Sequence, residues 1–458
     1  MTRTPSYWLE DADDGRSPRP ALDGDRRADV VVVGAGFTGL WTAWELLRRE
    51  PSLDVIVLEA ETVGFGASGR NGGWCSPGLG VSPAELARRT SPATARWTVE
   101  VMRATVDEIA ELTAGAGLDV GYRKGGILRV ARGPHEVPSM HATMDQLASL
   151  GLADGCAVLS ADELRERVHV AGAEGAFWDP HGAVLHPGRL VRGLARLIED
   201  ASGTVHEDTA VTRVEPGAHP AAVTDHGTVR ASTVVLATEA WLSQLPGWTR
   251  EVLPVYSLIV LTEPVPDLLA ERIGWKADEC LSSHRTTVDY LSRTPDGRIL
   301  FGGRGAPYHF GSSIDPAYDT HDETHAMLRR MLVDWFPDLA GVRFTHAWGG
   351  ALGMPRDFLP SMWHDPASGL AAAYGYTGQG VATARLAGRV LADLVLDGST
   401  PLADLPMVGH RPRRWEPEPL RWLGARFVQR GLQAVDDRAE RTGEPPTGRT
   451  LAERLIEH

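Results

Sequence analysis

The segment ADVVVVGAGFTGLWTAWELLRREPSLDVIVLEAE, beginning at Ala28, constrains this chain more than any other. Val30 to Val33 is an apolar, β-branched run that reads as a buried parallel strand, and apolar residues recur at helical spacing from Phe37 to Arg49. DVIVLE reads as a second strand, which completes a βαβ unit. Gly34, Gly36 and Gly39 form a G-x-G-x-x-G pattern in the turn between strand and helix. The first glycine permits the tight turn, the second lets a pyrophosphate approach the backbone, and the third lets helix and strand pack closely. Phe37 and Thr38 open a helix whose N-terminus faces the phosphates. Glu59 closes the second strand about 20 residues on, placed to accept from an adenosine ribose. Ala60 and Glu61 offer no cation to a 2′-phosphate, which disfavours NADP. Between NAD and FAD the fingerprint alone does not choose.

A second feature follows at once. GFGASGRNGGW, residues 64–74, holds five glycines in eleven residues, with Ala67, Ser68, Arg70 and Asn71 between them. Backbone so poor in side chains, yet furnished with polar atoms, suits a loop lying along the phosphates, ribityl chain and isoalloxazine of an extended dinucleotide. A flexible surface loop has the same composition. Near the other end, LAAAYGYTGQGVATARLAGRVLADLVLDG reads as a strand, a glycine turn at Gly375, Gly378 and Gly380, and a helix. Its N-terminus, at Gln379 to Val381, suits an electron-rich oxygen such as a flavin carbonyl.

The chain has 458 residues, enough for two closely packed domains and a buried cofactor. A formal net charge of −14 argues against a phosphate-tracking surface, and so against nucleic-acid binding. Three cysteines, with no C-x-x-C spacing, suggest neither a disulfide framework nor a metal site. The first 20 residues are polar and lack a secretory apolar core, and no run reaches transmembrane length. A cytoplasmic protein with small-molecule partners and no membrane contact is the expectation; oligomeric state is left open.

Taken in order, the motifs resemble the FAD-dependent D-amino-acid oxidase and glycine oxidase superfamily, especially its γ-glutamylputrescine oxidase and sarcosine-oxidase-like branch. They are the fingerprint with Glu59, GASGRNGG, LHPGRLVRGLARLIE, TAVTRVE, TVVLATEAW, VDYLSRTPDGRILFGGR, WGGALGMPRDFLPSM and GYTGQGVATARLAGRVLADL. The resemblance implies an α/β fold: a discontinuous Rossmann-type FAD domain over residues 28–85, 180–250 and 340–400, and an α+β, mixed-sheet substrate domain over 86–179 and 251–339. Residues 1–27 then form an N-terminal extension and 401–458 a C-terminal helical extension. Residues 82–111 are expected to be helical. The resemblance places Gly34, Gly36, Gly39 and Glu59 at the dinucleotide, and Ser68, Arg70, Asn71, Gly72 and Gly73 beside the flavin. Val211 falls at the adenine, Thr238 near the diphosphate, and Gly375 to Val381 at the pyrimidine end of the isoalloxazine. The early loop has no histidine, and residues 348–355 have neither cysteine nor histidine, so non-covalent FAD is expected.

Enzymes of this kind take a hydride equivalent from the carbon beside an amine, and few catalytic side chains are needed. A substrate carboxylate calls for a bidentate arginine, for which Arg304 and Arg356 are candidates. Tyr290, Tyr256, His284 and His346 are candidates for the pocket wall. The region GRILFGGRGAPYHF has no lysine to match the one such relatives use near the flavin, and Arg304 and His309 are the candidate cations for oxygen activation. The reading is therefore an amine or amino-acid oxidoreductase using oxygen or another acceptor. The alternatives are a 2-hydroxy acid or polyol-phosphate dehydrogenase reducing a quinone, and a flavin-binding subunit without turnover. Leu420, Leu423, Phe427 and Val428 fall at helical spacing among arginines, and this C-terminal helix is expected to dock on its own protein.

Overall fold

The computed structural model describes residues 6–303 and 308–456. The β-branched run becomes the strand Val30–Val33, fully buried within a six-stranded sheet. Across this sheet the order is Ser361–Asp365, Leu370–Tyr374, Thr233–Leu236, Val30–Val33, Val55–Leu58 and Thr204–His206. Every neighbouring pair is parallel except the first, which is antiparallel. The fingerprint helix, Phe37–Arg49, packs against the helix Gly380–Leu396. A Cβ on Gly388 would lie 2.6 Å from that of Trp41, so glycine sets how closely the two helices approach. Arg385 is buried between Trp41 and Trp44 and donates to Glu45 at 2.6 Å and Glu108 at 2.8 Å.

An eight-stranded mixed sheet forms the second layer, in the order Phe344–Met354, Leu253–Thr262, Ile299–Gly303, Asp289–Arg293, Cys280–Ser283, Ile127–Ala131, Gly175–Asp179 and Ala157–Ser160. Cys280–Ser283 and Ile127–Ala131 run parallel, and the other pairs are antiparallel. Phe344–Met354 pairs with Leu253–Thr262 along its whole length, although the sequence reading groups 340–400 with the dinucleotide sheet. The helix expected over residues 82–111 is two helices, Pro83–Arg89 and Pro92–Gly115. Pro92 lacks the N–H that would continue the first, and Ser91 instead accepts from Thr94 to start the second.

Described segments near both ends of the chain pack on its body. Residues 1–27 read as an extension, yet Tyr7 and Trp8 of the short helix Tyr7–Asp11 are buried with Ile259, Leu261, Leu300 and Trp348. The C-terminal helix Leu420–Thr442 docks on its own chain by a face other than the one its apolar spacing suggests. Leu420, Leu423 and Phe427 are exposed, while Asp436 accepts from the backbone N–H groups of Thr286 and Thr287, and Arg421 donates to the Thr249 carbonyl. Polar partners on the loops beneath the helix outweigh its apolar stripe. Among the described residues no helix is long and apolar enough to cross a membrane.

Candidate functional site

One cavity of about 970 Å³ runs from the fingerprint turn, past the glycine-rich loop, to the open face of the eight-stranded sheet. At the fingerprint end it is lined by Gly34, Gly36, Phe37, Thr38, Glu59 and Ala60. A Cβ on Gly34 would lie 2.8 Å from the Ala237 carbonyl oxygen, and Gly34 has a φ of +103°, so this turn admits only glycine. Gly39 is buried behind the cavity wall, where a Cβ would lie 2.0 Å from the Gly34 carbonyl oxygen. Glu59 accepts from the Ala35 N–H at 2.8 Å and the Glu61 N–H at 3.1 Å. Burial pushes its carboxyl up to about 7, and the nearby Glu207 and Glu61 add to the rise. Val211 also lines this end, beside a register shift in its strand.

Ala67, Ser68, Arg70, Asn71 and Gly72 line the middle of the cavity; Gly73 does not. Ser68 accepts from the Phe37 N–H at 2.8 Å and so holds the glycine-rich loop against the N-terminus of the fingerprint helix. Asn71 spends its side chain on the loop itself, donating to the Ser68 carbonyl at 2.9 Å and accepting from the Gly73 N–H at 2.9 Å. Arg70, buried, donates to the carbonyls of Phe65 at 2.8 Å and Gly349 at 3.0 Å, with Asp319 at 3.5 Å. Trp348 donates back to the Arg70 carbonyl at 2.9 Å. Arg70 thus ties the loop to the second sheet. Gly72 lies under the Tyr290 ring, where a Cβ would be 2.6 Å from Cε2.

Thr238 stands at the mid-wall with its hydroxyl buried and, among the described residues, without a hydrogen-bond partner. Next to it Glu239, a residue the sequence reading missed, adopts a left-handed φ of +51°. Its carboxylate accepts from the N–H groups of Gly375 and Tyr376, each at 3.0 Å, and from Gly353. Burial raises its pKa while these bonds oppose the rise. Two distant segments therefore meet on one carboxylate. Gly378, Gln379, Gly380 and Val381 line the wall there, and no side chain caps the helix that begins at Gly380. Gly375 lies behind them with a φ of +85°.

The outer compartment is lined by Trp74, Arg129, Ser257, Ser282, His284, Arg285, Asp289 and Tyr290 among others. Tyr290 shares a hydrogen bond of 2.9 Å with Ser257 and meets Trp74 edge-on at 6.3 Å. His284 donates through Nε2 to the Arg129 carbonyl at 3.2 Å, and burial beside Arg129 pushes its pKa down to about 3. Other candidates lie elsewhere. Arg356 pairs with Glu416 at 3.3 Å and covers Trp415, and His346 pairs with Glu10 at 3.3 Å beside the N-terminal helix. Tyr256 is core, packed edge-on against Tyr318 and His309. His309 stacks on Tyr318, and burial lowers its pKa, so it is a poor cation. Arg304 lies outside the described residues. Away from the cavity, Cys156, Asp179 and His181 converge, but His181 bonds to Asp179 at 2.6 Å and Arg103 reaches the thiol.

These residues fit FAD. The cavity is lined by glycine turns from both ends of the chain, the carboxylate Glu59 stands at the end of the second strand, and among the described residues Thr238 offers an unmatched buried hydroxyl near a helix that Gln379 does not cap with its side chain.

Residues 29–394 match the family model described as FAD dependent oxidoreductase. γ-Glutamylputrescine oxidoreductase of Escherichia coli (strain K12) is 30% identical over 419 residues, covering 90% of this chain and 95% of that protein. Sarcosine oxidase subunit beta of Rhodobacter capsulatus is 23% identical over 405 residues, covering 84% and 88%. The crystal structure of glycine oxidase from Geobacillus kaustophilus superposes with a TM-score of 0.70 at 23% identity, covering 84% of this chain and 99% of that one. The likeness thus extends through both sheets, and the chain belongs to the FAD dependent oxidoreductase family, an enzyme whose cofactor is FAD.

Proposed function

We propose that this enzyme oxidises the C–N bond of a small amine, namely a secondary amine, an N-substituted amino acid or a polyamine derivative, and passes the electrons to oxygen as hydrogen peroxide. The observation that carries the reading is the continuity of the cavity from the dinucleotide turn to the Tyr290 and Trp74 wall, along a chain 30% identical to a γ-glutamylputrescine oxidoreductase. Bound FAD supplies the two-electron acceptor for the C–H bond beside the nitrogen. The protein's part is to hold that bond in place. Tyr290, fixed by Ser257 and by Gly72 and Gly302 beneath its ring, forms a rigid wall packed on the glycine-rich loop. The imine product then hydrolyses.

Anaerobic addition of primary amines, N-alkyl amino acids, polyamine conjugates and 2-hydroxy acids to the yellow protein tests this reading. Bleaching of the flavin by an amine, reversed by air with peroxide release, is the expected result. Bleaching by a hydroxy acid alone would overturn it.

Two properties of FAD binding follow from the same reading. The cofactor is held without a covalent bond, because no cysteine lines the cavity among the described residues, and Cys75 is buried with its thiol pKa raised. Acid precipitation is expected to release yellow supernatant from a colourless pellet. Binding also depends on pH through Glu59. Its ionised form is the better acceptor for ribose hydroxyls, and burial pushes its carboxyl up to about 7. Acidification through that value protonates the acceptor and weakens binding. The Kd of FAD for the apoprotein is expected to rise on the order of tenfold from pH 8 to pH 6, and Glu59→Gln to flatten that dependence.

A further inference from the structure

Among the described residues Arg129 forms no salt bridge, although Asp179 and Asp289 act on it at longer range. It lies in the strand Ile127–Ala131 opposite Ser282, and Leu281 pairs with Leu291, which makes Ser282 the neighbour of Tyr290 as well. Tyr290, Ser282 and Arg129 therefore form one row across three adjacent strands, and all three line the cavity. At a strand spacing of about 4.8 Å, the Arg129 backbone stands roughly 10 Å from that of Tyr290. Its side chain is open to the cavity, and desolvation lowers its pKa while the carboxylates of Asp179 and Asp289 oppose the fall. Among the described residues it makes no hydrogen bond or ion pair of its own.

The charged neighbours are otherwise engaged: Asp179 accepts from the His181 N–H at 3.0 Å and from its imidazole at 2.6 Å. Asp289 accepts from the Ser283 N–H at 2.7 Å and from its hydroxyl at 2.9 Å. Arg285 pairs with Glu440 at 2.8 Å and with Asp436 at 3.7 Å. His284 gives its Nε2 proton to the Arg129 carbonyl. A guanidinium that faces the cavity with five donors and no hydrogen-bonded acceptor is placed to take an anion.

We propose that Arg129 binds a carboxylate carried at the far end of the substrate, two strands away from the wall at which the C–N bond is oxidised. The substrate class is then an amine whose chain ends in a carboxylate several bonds from the nitrogen, in contrast to a 2-amino acid, whose two groups share one carbon. This inference rests on the reading of the protein as an amine oxidoreductase.

The test uses the holoenzyme. Calorimetric titration with straight-chain alkanoates from butanoate to octanoate reads the anion site without turnover, and anaerobic flavin bleaching compares ω-(methylamino)alkanoates with N-methylalkylamines of equal length. Arg129→Gln is expected to weaken alkanoate binding, and to raise KM for the carboxylated amines, on the order of 10- to 100-fold, with kcat and the uncharged amines unchanged. Arg129→Lys keeps the charge but loses the bidentate fork, and falls between. Equal loss for charged and uncharged amines, or a wild-type protein that binds no alkanoate, overturns the proposal. The two readings fail separately. Arg129-dependent alkanoate binding with no bleaching by any amine removes amine oxidation, while bleaching indifferent to the carboxylate removes the Arg129 site.

Discussion

Glu239→Ala is expected to lower stability by about 3–5 kcal/mol and to abolish FAD retention, because it strands three buried N–H donors at once. Those donors belong to Gly353, Gly375 and Tyr376, on a strand of the second sheet and on the turn before the helix Gly380–Leu396. With the carboxylate gone these donors lose the partner they have, and the turn is expected to loosen where it faces the cavity. Urea denaturation and the flavin absorbance that survives gel filtration read the two effects. Glu239→Gln is the informative companion. Its carbonyl oxygen can still serve Gly375 and Tyr376, but its amide nitrogen would face the Gly353 N–H, donor against donor. An intermediate loss is expected. An alanine variant with wild-type stability and full flavin would show that the carboxylate does not hold these segments together.

Trp8→Ala is expected to cost about 3–5 kcal/mol, the usual range for removing a buried tryptophan, and to weaken FAD binding from a distance. Trp8 is 1% exposed and donates through Nε1 to the Asn71 carbonyl at 2.7 Å. Its own carbonyl oxygen lies 2.1 Å from where a Cβ on Gly188 would be. Next to it, Leu9 lies against Gly69, 2.8 Å from the position of an added Cβ. The first helix thus supports the glycine-rich loop from behind. Trp8→Phe keeps most of the ring volume and loses the hydrogen bond, so about 1 kcal/mol is expected. Loss of flavin by the alanine variant at temperatures where it remains folded separates support of the loop from general destabilisation.

The sequence made the dinucleotide end legible because its constraints are local. A strand, a turn and a helix within some thirty residues leave little freedom, and the glycines of the turn are required by a positive φ at Gly34 and by close approach at Gly39. The same holds for the strand Leu370–Tyr374 and the helix Gly380–Leu396. The outer compartment was legible only in Tyr290 and His284, which line it. Its wall comes from strands whose neighbours are far apart in the chain, and nothing local distinguishes Arg129 from arginines such as Arg356, which pairs with Glu416 at 3.3 Å. Glu239 left one faint signal, an acid directly after a buried strand and Thr238. Trp8 left another, an aromatic pair in a polar segment. The apolar spacing of Leu420, Leu423 and Phe427 misled as to the docking face, because buried polar anchors such as Asp436 decide it and hydrophobic periodicity does not register them.

The tie between Arg70 and Gly349 also sets an order of events during synthesis. The glycine-rich loop leaves the ribosome early, yet the carbonyl that holds Arg70 and the indole that donates to it at 2.9 Å belong to residues translated far later. Until the strand Phe344–Met354 has paired with Leu253–Thr262, the guanidinium lacks the Gly349 carbonyl, and closing so long a loop carries an entropic cost that only completed pairing repays. The nascent βαβ unit can collapse on its own valines, but the cofactor groove cannot take shape before most of the polypeptide exists. FAD therefore enters a nearly finished chain, as a late ligand whose mass action favours the assembled state over its partly folded precursors.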